Sequence, residues 1–170
     1  VYVFDGTPPE LKKKEAERRH KAKELAKQKY EKAKAESDTA AMGKYAKQTV
    51  KMTDEIIQES KDLIEAMGIP VIQAPGEGEA EAAVLARNKK VWATASQDYD
   101  ALLYATPILI RNLTLARRRR TSAGIYINVN PEIIEFQQLL NQLQIDLDQL
   151  ICLAILVGTD YNPGGVKGIG

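Results

Sequence analysis

The 170-residue sequence holds a single cysteine, Cys152, and a single histidine, His20. One cysteine cannot form an internal disulfide and points to an intracellular home. Within the apolar run Leu150–Val157 it reads as a core residue. One histidine, set in a charged stretch, argues against a His-rich metal site and against a Ser-His-Asp triad. The apolar runs are too short to span a bilayer, and the chain does not open on a basic segment followed by an apolar one. No internal repeat is visible. What is present is a chain of one-domain length, 44% apolar and 28% charged, with the balance of a globular protein. It starts on Val-Tyr-Val-Phe, as if mid-strand, and stops on Gly-Ile-Gly, so a piece of a longer protein is expected.

The formal charge of +1 hides a separation. Residues 1–52 carry 14 Lys+Arg against 8 Asp+Glu, a net of +6, and residues 53–170 carry 10 against 15, a net of −5. A basic segment joined to an acidic body suggests a polyanionic partner on one side and a cation-seeking site on the other.

From Glu10 to Glu36 the composition is Lys, Glu, Ala and Arg, all strong helix formers, with favourable pairs at Glu10–Lys14, Glu15–Arg19 and Glu17–Lys21. A second helix is expected over 39–52. Large apolar residues between Glu10 and Met52 are too few for a continuous core stripe, so these helices should stand proud of the body. Thr53 is a natural N-cap for a helix through Met67. Strand Val71–Gln73, helix Glu79–Asn88, strand Val91–Ala95 and helix Tyr99–Tyr104 follow. Strands at Ile108–Leu113 and Ile125–Val129 flank Arg117–Arg120, and helices at Pro131–Leu143 and Leu147–Val157 close the chain. The alternation predicts an α/β fold with a mainly parallel central sheet flanked by helices.

The carboxylates fall at the ends of the expected strands. Asp5 follows Val1–Phe4, Glu77 and Glu79 follow Val71–Gln73, and Asp98 and Asp100 follow Val91–Ala95. In an open parallel sheet these C-terminal ends share one edge, where ligands bind. Asp160, in a Gly-rich loop, can reach the same edge. Asp and Glu are also ordinary turn formers and N-caps, but helices rarely need paired carboxylates at each start. Five or six carboxylates cannot gather without cations or protons. All-oxygen donors point to Mg²⁺, with Mn²⁺ as the alternative. Two such ions would form a clamp for attack of water on a phosphodiester. Glu81, one turn beyond Glu77, is left as surface or supporting.

Four motifs stand in order: Val3-Phe4-Asp5-Gly6 with Pro8-Pro9; Ala74-Pro75-Gly76-Glu77-Gly78-Glu79-Ala80; Ser96-Gln97-Asp98-Tyr99-Asp100; and Gly158-Thr159-Asp160-Tyr161 running into Gly165-Val166-Lys167-Gly168-Ile169-Gly170. On these the chain resembles the flap endonuclease branch of the XPG-type structure-specific nucleases over essentially its whole length, and archaeal members most. The resemblance implies a PIN-like, Rossmann-like nuclease core that removes 5′ flaps from branched DNA in replication and repair. It maps the metal-binding carboxylates onto Asp5, Glu77, Glu79, Asp98, Asp100 and Asp160. The family has a further aspartate on a strand before the start of this chain, so residues 1–170 correspond to one incomplete nuclease domain.

By the same resemblance, residues 10–52 are a helical arch through which the single-stranded flap passes. Lys12 and Arg19, with Arg18 as alternate, match the basic residues that reach the scissile phosphate and neutralise its developing charge. Other arch lysines would attract phosphates without regard to sequence. Residues 158–170 resemble the start of a helix-two-turn-helix. There Gly165, Lys167, Gly168 and Gly170 would contact duplex phosphates beside a K⁺. A sliding clamp (PCNA) would be recruited through a C-terminal peptide beyond this chain. Arg117–Arg120 is expected as a solvated polar loop that could touch DNA. Rival readings are a PIN-type ribonuclease, which lacks a basic helical insertion, and an Asp-nucleophile phosphatase. The phosphatase needs a second Asp where Val3 stands. A branched-DNA-binding module without activity is the non-enzyme alternative.

Overall fold

The computed structural model describes residues 1–49, 52–113, 118–121 and 124–169. The β-branched and aromatic run Tyr2–Phe4 forms β1, which lies parallel to β2 (Val71–Gln73) with Val3 opposite Ile72. Parallel neighbours need a long crossover. Here it holds a 3-10 turn (Glu10–Lys12), α1 (Lys13–Ala35), α2 (Thr39–Thr49) and α3 (Asp54–Ala66). The start of α3 is fixed by Thr53, whose hydroxyl accepts the Ile56 N–H at 3.4 Å.

After β2 the chain enters α4 (Gly78–Arg87), β3 (Thr94–Ala95), α5 (Asp100–Leu103) and β4 (Ile108–Arg111). β3 and β4 form the second parallel pair, Thr94 opposite Leu109. The core gathers here: Ala101, Leu102 and Leu109 are buried, and Ile134, Phe136, Leu139 and Leu150 pack against them. The buried hydroxyls of Thr94 and Thr106 satisfy each other at 2.7 Å.

Several stretches depart from the sequence reading. Cys152, expected in the core, is exposed, and the strand expected over Val91–Ala95 is confined to Thr94–Ala95. The helix expected from Pro131 begins only at Phe136, because Glu132–Glu135 forms β7, antiparallel to β4. Glu-Ile-Ile-Glu is too short for its apolar period to tell strand from helix, and the free edge of β4 decides. The arginine run is likewise no simple polar loop. Arg118–Arg120 forms β5, paired antiparallel with β6 (Tyr126–Asn128), while Arg117 lies outside the described residues. The fold is therefore α/β, but the expected central sheet is divided among the described residues into the parallel pair β1–β2, the parallel pair β3–β4 with β7 antiparallel on β4, and a separate antiparallel pair β5–β6.

The chain closes with α6 (Phe136–Leu143) and α7 (Leu147–Val157). A reciprocal box starts α7: the Asp146 carboxylate accepts the Gln149 N–H at 2.8 Å, and the Gln149 side chain accepts the Asp146 N–H at 3.0 Å. Among the described residues no single helix is long and apolar enough to cross a membrane. The apolar pair α6 and α7 is bent by 77°.

Two features position the site. First, α1 and α2 fold back on each other as a hairpin that buries Ala26 and Ala33, with Lys29 Nζ lying 5.8 Å from the Tyr45 ring centre. The sequence reading counted only large apolar residues and so missed these alanine contacts. Second, among the described residues β1 pairs only with β2, and β3 only with β4. A groove of about 480 Å³ is bounded by residues of β1, β3 and α4, among them Val3, Ala82, Leu85 and Thr94.

Candidate functional site

The carboxylates arrive from separate elements. Asp5 leaves the end of β1. Glu77 and Glu79 bracket the start of α4 after β2. Asp98 and Asp100 follow β3, and Asp160 follows α7. Asp5 is tied in directly, since its Oδ1 accepts the Gly78 N–H at 2.7 Å. The anion thereby caps α4 from a different strand, at the end where the helix dipole favours it. A methyl group at Gly78 would stand 2.9 Å from that same oxygen, so glycine is what lets the carboxylate approach.

Two cavities meet at this edge. The larger, about 540 Å³, is lined by Asp98, Asp100 and Asp160 with Arg18 and Arg19. The smaller, about 280 Å³, is lined by Asp5, Glu77 and Asp160 with Lys12 and Arg19. Glu79 stands on the β1–β3 side, in the groove that also reaches Asp5. Its carboxylate accepts a hydrogen bond from the Ser96 hydroxyl.

Basic side chains from the 3-10 turn and α1 press into the acidic edge. Lys12 Nζ lies 2.5 Å from Glu77 Oε2 and 3.4 Å from Asp160 Oδ2, with the Tyr161 ring centre 5.1 Å away. Arg19 Nη2 donates to both Asp160 oxygens, at 3.0 and 2.9 Å. Of the two arginines, Arg19 makes this contact. The Arg18 side chain is 74% exposed and turns back to Glu15. Among the described residues no three carboxylates stand ready-made around one ion, and Lys12 and Arg19 serve as counter-cations to Glu77 and Asp160.

Proton affinities follow this crowding. Burial pushes the Glu79 carboxyl above the ordinary range, the Ser96 hydrogen bond pulls back, and Asp100 and Asp98 push it further up. Asp100 is raised by burial, then by the charges of Asp160 and Asp98. Burial of Lys12 works against its charge, but the hydrogen bond from Lys12 to Glu77 and the charges of Glu77 and Asp160 outweigh it. The net shift is upward. Burial first, and neighbouring carboxylates second, thus disfavour the ionised form of Glu79 and Asp100. The donors of this edge are all hard oxygens, so the residues fit divalent cations such as Mg²⁺ or Mn²⁺.

The remaining expected residues stand apart. Gly165, with φ +53°, donates its N–H to the Asn162 carbonyl at 3.1 Å. A side chain there would strike the Leu156 and Val157 carbonyls. Lys167 and Gly168 follow it, exposed and outside the residues lining the two cavities. Gly170 lies outside the described residues. Three contributors were not expected from sequence. Ser96 had a local signal, because it stands two residues before Asp98 and accepts the Asp98 N–H at 3.1 Å. Tyr161 stands beside Asp160 in its motif and Glu15 four residues before Arg19, but neither spacing reveals the contact with Lys12 or the burial that the structure shows.

Comparison with known proteins follows the same residues. A family model described as XPG I-region matches residues 68–160. The Flap endonuclease 1 of Staphylothermus marinus is 54% identical, over 100% of this chain and 49% of its own length. The structure of flap endonuclease-1 from Methanococcus jannaschii superposes with a TM-score of 0.68 at 46% identity, covering 100% of this chain and 50% of that one. The catalytic core of Rad2 in complex with DNA substrate gives a TM-score of 0.68 at 27% identity, covering 100% and 43%. The chain thus spans about half the length of the curated relatives it matches.

Proposed function

The chain belongs to the XPG I-region family, and from that membership we propose that it forms the catalytic half of a structure-specific 5′ flap endonuclease with accompanying 5′-3′ exonuclease activity. The observation that carries this reading is the single acidic edge, fed by β1, β2, β3 and the loop after α7, with the basic start of α1 laid against it. The substrate is branched DNA with a 5′ flap. The names of the relatives and the DNA bound to Rad2 support that choice.

Asp5, Glu77, Glu79, Asp98, Asp100 and Asp160 would hold two Mg²⁺ ions, with Mn²⁺ as substitute. The ions would supply Lewis acidity and lower the proton affinity of the attacking water. The chain's own groups do the rest. The Gly78 N–H orients Asp5, and Ser96 orients Glu79. Lys12 and Arg19 trade their carboxylate partners for the phosphate, whose charge they neutralise as it grows. A further strand entering the groove between β1 and β3 would bring the family's remaining aspartate to the same edge. Residues 10–52 act as the arch that receives the flap. Residues 158–170 open the helix-two-turn-helix, where a K⁺ would join backbone N–H groups in gripping the duplex arm. A sliding clamp (PCNA) and an intracellular location complete the proposal.

The test is incubation of the full-length protein with flap, nicked and single-stranded DNA, with Mg²⁺ and with EDTA. Preferential Mg²⁺-dependent cutting near the flap base is expected. Equal cutting of all three, or cutting in EDTA, sinks the proposal. Binding without cutting would favour a recognition module. Asp98→Ala and Asp160→Ala should each abolish cutting while sparing flap binding, and wild-type turnover in either removes that residue from the metal site.

A further inference from the structure

The helix α1 is exposed along most of its length, yet Glu15 in its first turn is only 3% exposed. A buried carboxylate is costly unless charged partners surround it. Glu15 has two. Its Oε1 accepts from Arg19 Nε at 2.9 Å and from Arg18 Nη2 at 2.8 Å. Its Oε2, closed off from solvent, lies 2.7 Å from Arg18 Nε as a charge contact without hydrogen-bond alignment. These contacts hold the Glu15 carboxyl below the ordinary range, the Arg18 hydrogen bond first and that of Arg19 second.

Arg19 therefore bridges two carboxylates, Glu15 on its own helix and Asp160 on the body. The two ties differ in kind. Asp160 is among the carboxylates that would hold a divalent cation, and a bound cation would compete with Arg19 for its oxygens. Glu15 sits four residues earlier on the same helix and travels with Arg19. It lines both cavities along with Arg19 and Asp160, so it stands at their junction. Its hydrogen bond and charge also favour the charged form of Arg18, outweighing burial and the repulsion of neighbouring Arg19.

Resting on the nuclease reading above, we propose that Glu15 is a positioning residue whose carboxylate keeps the Arg19 guanidinium aimed at the acidic edge once Asp160 has turned to metal. A free arginine samples many rotamers, and a planar fork held by one carboxylate loses less freedom when it meets a phosphate. The benefit belongs to the reacting state and so to kcat, while flap capture depends on the many other arch cations.

The experiment is a double-mutant cycle in the full-length protein, using Glu15→Gln, Arg19→Ala and the pair, with Mg²⁺ saturating and a 5′-flap substrate. Glu15→Gln should slow single-turnover cleavage roughly ten-fold, with flap affinity changed less than about two-fold. In the Arg19→Ala background it should add nothing further. A wild-type rate in Glu15→Gln overturns the proposal, as does the same slowing with and without Arg19, which would mark a merely structural role. A second measurement does not depend on cleavage or on any variant folding. The Arg19 Nε–H should stay protected from solvent exchange in the Mg²⁺-loaded wild-type protein, and fast exchange there also overturns it. If the wild type fails to cut flaps while Arg19 stays protected, the nuclease reading falls and the tether stands.

Discussion

Replacing Lys12 with methionine should make the site bind metal more tightly while cutting more slowly. Methionine keeps much of the side chain's apolar length and removes only the charge. Nζ contacts Glu77 at 2.5 Å and Asp160 at 3.4 Å, and the three side chains are 18%, 19% and 30% exposed. At an effective dielectric of 20, a unit pair at 4 Å attracts by about 4 kcal/mol. Desolvation and up to about 2 kcal/mol of lost lysine rotamer freedom oppose this. Water at a partly exposed site screens it further, leaving a net of about 1–2 kcal/mol. The metal-free variant should be less stable by that amount. A divalent ion need no longer displace the lysine, so Mn²⁺ should bind roughly 5- to 30-fold tighter, since about 1.4 kcal/mol is a factor of ten. Calorimetric Mn²⁺ titration and thermal melts with and without Mg²⁺ give both numbers. Single-turnover cleavage should fall, because Lys12 is also the group proposed to meet the phosphate. Unchanged or weaker Mn²⁺ binding would refute the competition, as would an equal stability loss with and without Mg²⁺.

Three further outcomes are expected. Gly78→Ala places a methyl at the first residue of α4, 2.9 Å from Asp5 Oδ1, and pushes that oxygen away. Its melting point should hardly move while cleavage and Mn²⁺ affinity drop, and intact activity would show that Asp5 needs no support from α4. Asp146→Ala removes one half of the box that starts α7 and should cost about 1 kcal/mol in denaturant unfolding without changing substrate preference. The third concerns pH. Glu79 and Asp100 are raised in the folded protein, so the unfolded chain ionises first, and the stability they confer falls as pH rises through and above the ordinary carboxylate range. Glu15 is lowered and acts in the opposite sense, its stability lost as pH falls through the folded value. The diagnostic is therefore the Mg²⁺-induced shift in melting temperature. Cations need ionised carboxylates, so it should be larger near pH 7 than near pH 5, and the reverse order would place Glu79 and Asp100 outside the cation site.

Much of the site was legible because its chemistry is local. Asp5 follows the apolar run of β1 directly, Glu77, Glu79, Asp98 and Asp100 come within a few residues of the ends of β2 and β3, and parallel partners point their C-terminal ends the same way. Glu15 was legible only as half of an ordinary i,i+4 pair. Nothing in its spacing distinguishes it from Glu17, two residues on, and burial against the body is a tertiary event. The same holds for Lys12, expected to face a phosphate and found against Glu77 and Asp160. Charge pattern predicts attraction to anions but not which anion is nearest. In the fold, β7 was missed because four residues carry too little periodicity. The strand within the arginine run was missed because Tyr126–Asn128 supplies the pairing that its composition does not suggest.

The hairpin of α1 and α2 buries few side chains completely. Among the described residues Ala26 and Ala33 are its fully buried apolar side chains, with Tyr30, Met42 and Tyr45 half-buried, and each alanine methyl contributes about 0.8 kcal/mol on burial. The core around Leu109 has no such weakness. The hairpin should thus separate as its own cooperative unit, at a free energy far below that of global unfolding, and its amides should exchange with solvent long before those of β4. In the proposed role of residues 10–52 as an arch, a hairpin closed by so little fully buried surface would open readily enough to admit and release a strand end.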